Sequence, residues 1–391
     1  MVMVPRTIQP ELEKSLREYP VVCITGPRQS GKTTLARMAL PDFHYVNFED
    51  PITRDIFNED PRGFIHQHRD GAVFDEVQHV PALLSFLQVH VDKNPIPGKF
   101  LLTGSQHFGM TERISQSLAG RTAMLELLPF SAGEMASARM LADELDPAIW
   151  QGAYPPIHDR NLRPDRWYAN YMATYVQRDV RQISQIQNLD IFTRLMRLCA
   201  GNVGQLVNTV RLATECGVDH KTIRNWLGVL EASYVLTRLP PYYRSFRKRI
   251  IKTPKLYFFD TGLACHLLGI QSPAQLATHP LRGALFENWV FAELFKSIKN
   301  KALSAHIYFW RTHGGQEVDF IIEHGQRIDG IEVKVGMTVH PTMLRSLNNT
   351  TSGWKGGNMR TWVVYGGKDF MNIGKSVVVP WRRTGYPLQE T

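Results

Sequence analysis

The chain has 391 residues, 43% hydrophobic and 21% charged, which suits two or three soluble globular domains and excludes a disordered or fibrous protein. No stretch approaches eighteen uncharged apolar residues, and Arg6, Glu11, Glu13 and Lys14 stand where a signal peptide needs its apolar core, so the sequence reads as cytoplasmic with no membrane partner. The net charge of +9 is concentrated: residues 155–255 hold 17 Lys and Arg against 7 Asp and Glu, an excess of +10 that points to a polyanion, with DNA the expected partner.

In chain order, Ile8, Leu12 and Leu16 at helical spacing predict a short leading helix over 7–18. The apolar run 21–25 then predicts a strand running into Gly26-Pro27-Arg28-Gln29-Ser30-Gly31-Lys32-Thr33, a complete G-x-x-x-x-G-K-[ST] loop, and a helix from Thr34. A strand that ends in a glycine-rich turn and opens a helix aims backbone N–H groups and the positive helix end at one point, which suits a polyphosphate. The loop and Thr34 are therefore expected to bind ATP, with Lys32 on the β- and γ-phosphates and Thr33 on Mg²⁺. Further strands are expected at 43–48, 72–74, 100–103 and 123–128, alternating with helices, which implies a parallel α/β sheet covered on both faces.

An ATPase of this kind also needs acidic groups at the end of a neighbouring strand, and Asp75-Glu76 closes the run 72–74. Asp75 is expected to hold the Mg²⁺ shell and Glu76 to act as general base toward water. The strand 100–103 leads to Thr103 and Ser105, whose hydroxyls are candidates for sensing the γ-phosphate, Ser105 among the nucleotide-binding residues. Arg113 and Arg121 precede the fifth strand, where an arginine can reach the phosphates of a neighbouring subunit; Arg121 is the preferred candidate and implies a homo-oligomer. Ser131-Ala132-Gly133-Glu134 is a capping box that opens the next helix.

Beyond a turn-rich joint at 151–156 the sequence predicts helices at 167–183 and 205–216, a turn at Gly217, and a second helix from Asp219. This is helix-turn-helix order, and strands within 234–239 and 242–257 would form a wing. Lys221, Thr222, Arg224 and Asn225 are expected to project, with Ile223, Leu227 and Leu230 inward. The last third predicts an apolar helix at 283–295, strands at 307–311, 318–323 and 328–335, a helix near 340–347, and strands at 361–365 and 376–381. The expected division is 1–150, 151–255 and 256–391. Cys23, Cys199, Cys216 and Cys265 form no C-x-x-C pair and give no zinc framework.

The loop 26–34, Phe74-Asp75-Glu76-Val77-Gln78, Leu102-Thr103-Gly104-Ser105, and Leu118-Ala119-Gly120-Arg121 with Leu128-Pro129-Phe130 together resemble the prokaryotic AAA-type predicted ATPases that carry a C-terminal domain related to PD-(D/E)xK nucleases. The likeness continues through 175–180, 258–263 and 283–287. It implies an AAA-like P-loop ATPase domain, a helical and winged-helix middle, and a restriction-endonuclease-like α/β domain at the end.

Chemistry argues for the last domain separately. Metal-dependent phosphodiester cleavage needs carboxylates to hold Mg²⁺ and a cation beside the attacking water. Asp319 lies on one predicted strand, and Glu332 and Lys334 share a face of the next. Glu287, from the preceding helix, completes a metal cluster with Asp319 and Glu332, while Glu317 and Glu323 compete with Asp319. The leading reading is a Mg²⁺-dependent ATPase that binds DNA and remodels it, by analogy at branched DNA such as Holliday junctions. Its rivals are a nucleotide-switched regulatory or defence protein and an ATP-licensed nuclease.

Overall fold

A computed structural model describes residues 3–105, 117–175, 186, 188–242, 252–312, 314–340 and 359–388. The first five strands are β1 (Val21–Gly26), β2 (His44–Asn47), β3 (Ala72–Asp75), β4 (Phe100–Ser105) and β5 (Thr122–Glu126). They form one parallel sheet in the order β2-β3-β4-β1-β5. β1, β3 and β4 are buried at every position, as a parallel sheet packed on both faces requires. Phe48, Phe57, Phe64, Phe74 and Phe100 fill one side. Ile8, Leu12, Leu35 and Leu101 fill the other. The acidic strand β3 is not the immediate neighbour of β1, contrary to the sequence expectation, because β4 pairs with both.

Ser131 caps the helix Ala132–Ser137 as its sequence predicts: its Oγ accepts from the Glu134 N–H at 3.2 Å, and the Glu134 carboxylate accepts from the Ser131 N–H at 2.8 Å. The middle of the chain holds helices Pro164–Tyr175, Leu189–Gly201, Thr209–Cys216 and His220–Ala232. The third starts four residues later than its apolar pattern suggests. Residues 204–207 are drawn instead into backbone pairing with 254–256, through Gly204 N–H to Leu256 O at 2.8 Å and Val207 N–H to Pro254 O at 2.9 Å. Asn208 then caps the helix. Gly217 turns the chain at φ 69°, and Asp219 caps the next helix through the N–H groups of Lys221 and Thr222. Ile223, Leu227 and Leu230 are buried, whereas Lys221, Arg224 and Asn225 are exposed. Strand β6 (Leu236–Leu239) pairs antiparallel with β7 (Lys255–Phe258), a hairpin that spans the expected division at residue 255. The rest of the helix expected over 167–183, and the basic run Arg247-Lys248-Arg249, lie outside the described residues.

The long helix Arg282–Asn300 leads into β8 (Ala305–Arg311), β9 (Glu317–His324), β10 (Arg327–Lys334), β11 (Met359–Tyr365), β12 (Met371–Ile373) and β13 (Ser376–Pro380). Their order is β12-β13-β11-β10-β9-β8, with β10, β11 and β13 parallel and the outer strands antiparallel. The helix expected near 340–347 falls outside the described residues after His340. Phe192, Leu227, Tyr257, Phe286 and Phe320 belong to one core shared by the middle and the C-terminal sheet. The same long helix grips the first domain: Lys296 donates to Phe130 O at 2.8 Å and to Glu293 at 2.9 Å, and Glu293 accepts from the Ala132 N–H at 2.7 Å. Among the described residues no helix is long and apolar enough to cross a membrane.

Candidate functional site

The phosphate loop leaves β1 at Gly26, whose φ is 149° and where a Cβ would stand 2.1 Å from Leu127 O, so only glycine fits between β1 and β5. Gly31, at φ 96°, turns the chain into the helix Lys32–Ala39. Lys32 Nζ donates across the loop to Gly26 O at 3.1 Å and Pro27 O at 2.8 Å. Behind the loop lies a residue that sequence reasoning missed. The buried Arg6 guanidinium donates to Ser30 O and Leu128 O at 2.7 Å each and to Glu134 at 3.1 Å. Its partners are 24, 122 and 128 residues away, so no local pattern could reveal it. The buried Ser30 Oγ has no hydrogen-bond partner, which suits a loop built to enclose a polar ligand.

Asp75 ends β3 and is 2% exposed. Its carboxylate accepts from Thr33 Oγ1 at 2.8 Å and from the hydroxyls of Thr103 and Tyr45. Because β4 lies between β1 and β3, Thr103 stands beside Asp75 and works as its support. Thr33 and Asp75 are thus in contact, the pair of oxygen donors that would hold Mg²⁺ on a nucleotide. Glu76 adopts a left-handed backbone, φ 57° and ψ 44°, which takes its side chain out of strand alternation. Gln78 Nε2 donates both to Glu76 and, at 3.1 Å, to Ser105 Oγ. Gln78 joins the base candidate to the sensor candidate, a role not legible in the sequence although it lies only two residues past Glu76.

Arg121 sits at the other end of this sheet. Its carbonyl accepts from the Val21 N–H at the start of β1, while the loop leaves the end of that strand. Its guanidinium pairs with Asp92 and donates to Ala119 O at 2.9 Å, so it does not reach the phosphate loop of its own chain. Arg113 lies outside the described residues.

A second cavity of about 480 Å³ opens between the middle and the C-terminal sheet, lined by Gly204, Lys255, Glu287, Glu317, Asp319 and Glu332 among others. The structure brings Glu287, Asp319 and Glu332 to this one cavity, but the expected metal cluster needs correction. Among the described residues, no three His, Cys, Asp or Glu side chains gather closely enough to hold a metal ion. The carboxylates are instead taken up by separate partners, among them Lys255, which the sequence did not single out: its ammonium lies 3.0 Å from Glu287 and 2.5 Å from Glu317. Lys334 pairs with Glu332 at 2.5 Å, and the Val333 N–H donates to Asp319 at 2.8 Å. Glu323 accepts instead from the Tyr242 hydroxyl at 3.0 Å. Burial, then Glu287 and Glu332, push the Asp319 carboxyl well above its ordinary range, against Lys255. Burial also raises Glu332, against Lys334. Burial works against the charge of Lys255 and Lys334, but the carboxylates outweigh it and hold both ammonium groups protonated.

Residues 18–136 match the family described as AAA domain, residues 142–274 a domain of unknown function, DUF8612, and residues 282–384 a second, DUF4143. Two curated relatives, uncharacterized protein Rv2008c of Mycobacterium tuberculosis and uncharacterized protein Mb2031c of Mycobacterium bovis, are each 30% identical over 383 residues, covering 97% of this chain and 83% of theirs. The chain belongs to their family. With the AAA match and the loop geometry, this member is a P-loop ATPase of the AAA type. Among solved structures, the Walker-type ATPase paby2304 of Pyrococcus abyssi is 15% identical, covering 66% of this chain and 94% of that one at a TM-score of 0.47.

Proposed function

We propose that this AAA-type ATPase is Mg²⁺-dependent, binds DNA through its basic middle, and couples ATP hydrolysis to DNA remodelling as a homo-oligomer. The observation that carries the ATP chemistry is the contact of Thr33 with Asp75 beside the Glu76–Gln78–Ser105 chain. Lys32 exchanges its two carbonyl partners for phosphate oxygens. Thr33 and Asp75 would hold Mg²⁺, which would supply charge neutralisation at those oxygens. Glu76 accepts the proton of the attacking water. Gln78 fixes Glu76, and through Ser105 it senses whether a γ-phosphate is present. Arg121, turned away from its own loop, serves the phosphates of a neighbouring subunit.

DNA binding is supported by the local excess of +10 and by Lys221, Arg224 and Asn225, exposed at the start of the helix His220–Ala232 that follows a tight turn and precedes the β6–β7 hairpin. In this reading the segment is a winged helix with that helix as its reading head. Junction DNA is the preferred substrate, by analogy between the C-terminal domain and junction resolvases. The test is ATP turnover with single-stranded, duplex and four-way DNA. The expected result is stimulation, lost as salt rises from about 50 to 200 mM and weakened in Lys221→Ala/Arg224→Ala. Turnover indifferent to every DNA form overturns this reading in favour of a nucleotide-switched protein with a protein partner.

One observation favours a second activity. Glu332 lines the C-terminal cavity and is 5% exposed, and its Oε2 is buried without a hydrogen-bond partner, which fits a cation ligand. For this activity Glu287, Asp319 and Glu332 would have to draw closer than they stand here before they could hold a Mg²⁺ or Mn²⁺ to supply Lewis acidity at a phosphodiester, with Lys334 orienting the nucleophile. Cleavage of supercoiled, forked or four-way DNA by the wild type but not by Asp319→Ala is the expected result.

A further inference from the structure

We infer that a second copy of this chain docks on the first domain: the acidic helix Pro51–Glu59 of each copy lies in the basic groove between the helices Pro61–Gln67 and Leu83–Lys93 of the other. The inference rests on the homo-oligomer reading above and names the surfaces that pair. Residues 49–60 hold Glu49, Asp50, Asp55, Glu59 and Asp60 against Arg54, a local charge of −4. In the helix, Ile52 and Ile56 stand one turn apart and are 69% and 53% exposed, and Asp55 and Glu59 form a second stripe beside them. Phe57 anchors the helix from beneath, buried with its ring 5.5 Å from Phe64 and 6.2 Å from Phe86, so the isoleucine stripe stays outward.

The groove, of about 790 Å³, sets Arg62, Arg69, Lys93 and Lys99 against one carboxylate, that of Asp70. Its apolar part is Val89 and Ile96, 57% and 53% exposed. Ten large hydrophobic side chains lie exposed among the described residues, and four of them belong to this helix and this groove, which marks both as contact surfaces. The two match in charge and in apolar content, yet the helix cannot fill the groove of its own chain, since Phe57 pins it against Phe86, a wall of that groove. One chain therefore carries both halves of a complementary pair side by side. Two copies related by a two-fold axis satisfy both halves at once, helix to groove and groove to helix. Asp55 and Glu59 then face the groove's cations, and the isoleucines leave water against Val89 and Ile96. DNA would meet the same cations but also the acidic stripe beside them, which repels it, and would leave Ile52 and Ile56 in water.

The test is sedimentation equilibrium of the full chain over a range of concentrations, with and without ATP. Asp55→Arg/Glu59→Arg and Arg62→Glu/Lys93→Glu are each expected to raise the Kd of self-association by about 10²-fold or more, because like charges then face each other. An equimolar mixture of the two variants should restore it, since each helix then meets a groove of opposite sign. The four changes in one chain should restore it too. Ile52→Ser/Ile56→Ser, which alters no charge, should raise Kd by at least about tenfold and keeps the inference testable should a charge reversal fail to fold. All six side chains are exposed, so Tm should hold in every variant. Wild-type association that survives all of these changes overturns the two surfaces and leaves the homo-oligomer reading standing. Loss in both reversals without recovery in the mixture overturns the pairing of helix with groove. Groove reversal that lowers DNA affinity while self-association holds assigns the groove to DNA and overturns the inference. A wild type that stays monomeric throughout removes the homo-oligomer reading and the inference together.

Discussion

Both polar centres of this chain set carboxylates close to a buried lysine, and they differ in what the lysine touches. At the phosphate loop, Lys32 donates to two backbone carbonyls, and Asp75 accepts from three neutral hydroxyls. In the C-terminal cavity, Lys255 and Lys334 are matched directly to Glu287, Glu317 and Glu332. A cation whose partners are neutral exchanges them for a phosphate without exposing a buried charge. A cation matched to buried carboxylates leaves unpaired charge behind when it moves, which costs several kcal/mol. The first centre is built to admit a polyanion, and the second holds itself closed.

The comparison breaks most readily at the first centre. Lys32→Ala should lower ATP turnover by about 10³-fold or more, since the developing phosphate charge loses its cation. Glu76→Gln should lower turnover by about 10² to 10⁴-fold while nucleotide affinity holds, because only proton acceptance is lost. Phosphate release and fluorescent-nucleotide binding distinguish the two; a Glu76→Gln enzyme that turns over at the wild-type rate would falsify the base assignment.

Arg6 tests whether the loop depends on a matched buried pair of the second kind. Arg6→Ala leaves Glu134 buried beside the loop without its guanidinium, and a loss of about 3 to 5 kcal/mol in denaturant unfolding is expected. Gln78→Ala should act on kcat and spare nucleotide affinity, with a fall of about tenfold as Glu76 loses its anchor. Unchanged kcat, or an equal loss in affinity, would show that Gln78 does not position the base.

The smallest effect lies in the second centre. Asp319 has a raised pKa in the folded chain, from burial first and then Glu287 and Glu332. The fold therefore favours its protonated form: that contribution is complete below the ordinary aspartate range and is lost as pH rises through the raised value. Above the ordinary aspartate range the group therefore costs the fold stability. Asp319→Asn should raise Tm by a few degrees at about pH 7, with the gain shrinking toward about pH 4. A pH-independent difference in Tm would contradict this account.

The legible parts of the molecule are those whose partners lie close in sequence. The phosphate loop is read from eight consecutive residues because backbone turn, lysine and hydroxyl all act within one strand-to-helix junction. Asp75 and Glu76, the Ser131–Glu134 capping box and the Asp219 cap are legible for the same reason. Where the late start of the helix Thr209–Cys216 departed from its pattern, pairing of 204–207 with a strand segment about fifty residues away overrode local propensity.

By itself, then, the sequence determined the ATP site's identity, the alternation of strands and helices that makes the first sheet parallel, and which carboxylates would face the last cavity. Tertiary structure alone decided that β4 enters between β1 and β3 and places Thr103 on Asp75, that Arg6 braces the loop, and that Lys255 pairs with Glu287 and Glu317. The physical reason is range. Periodicity and turn chemistry act over a few residues, whereas a buried charge takes whatever partner the packed chain brings within about 3 Å, at any distance along the sequence.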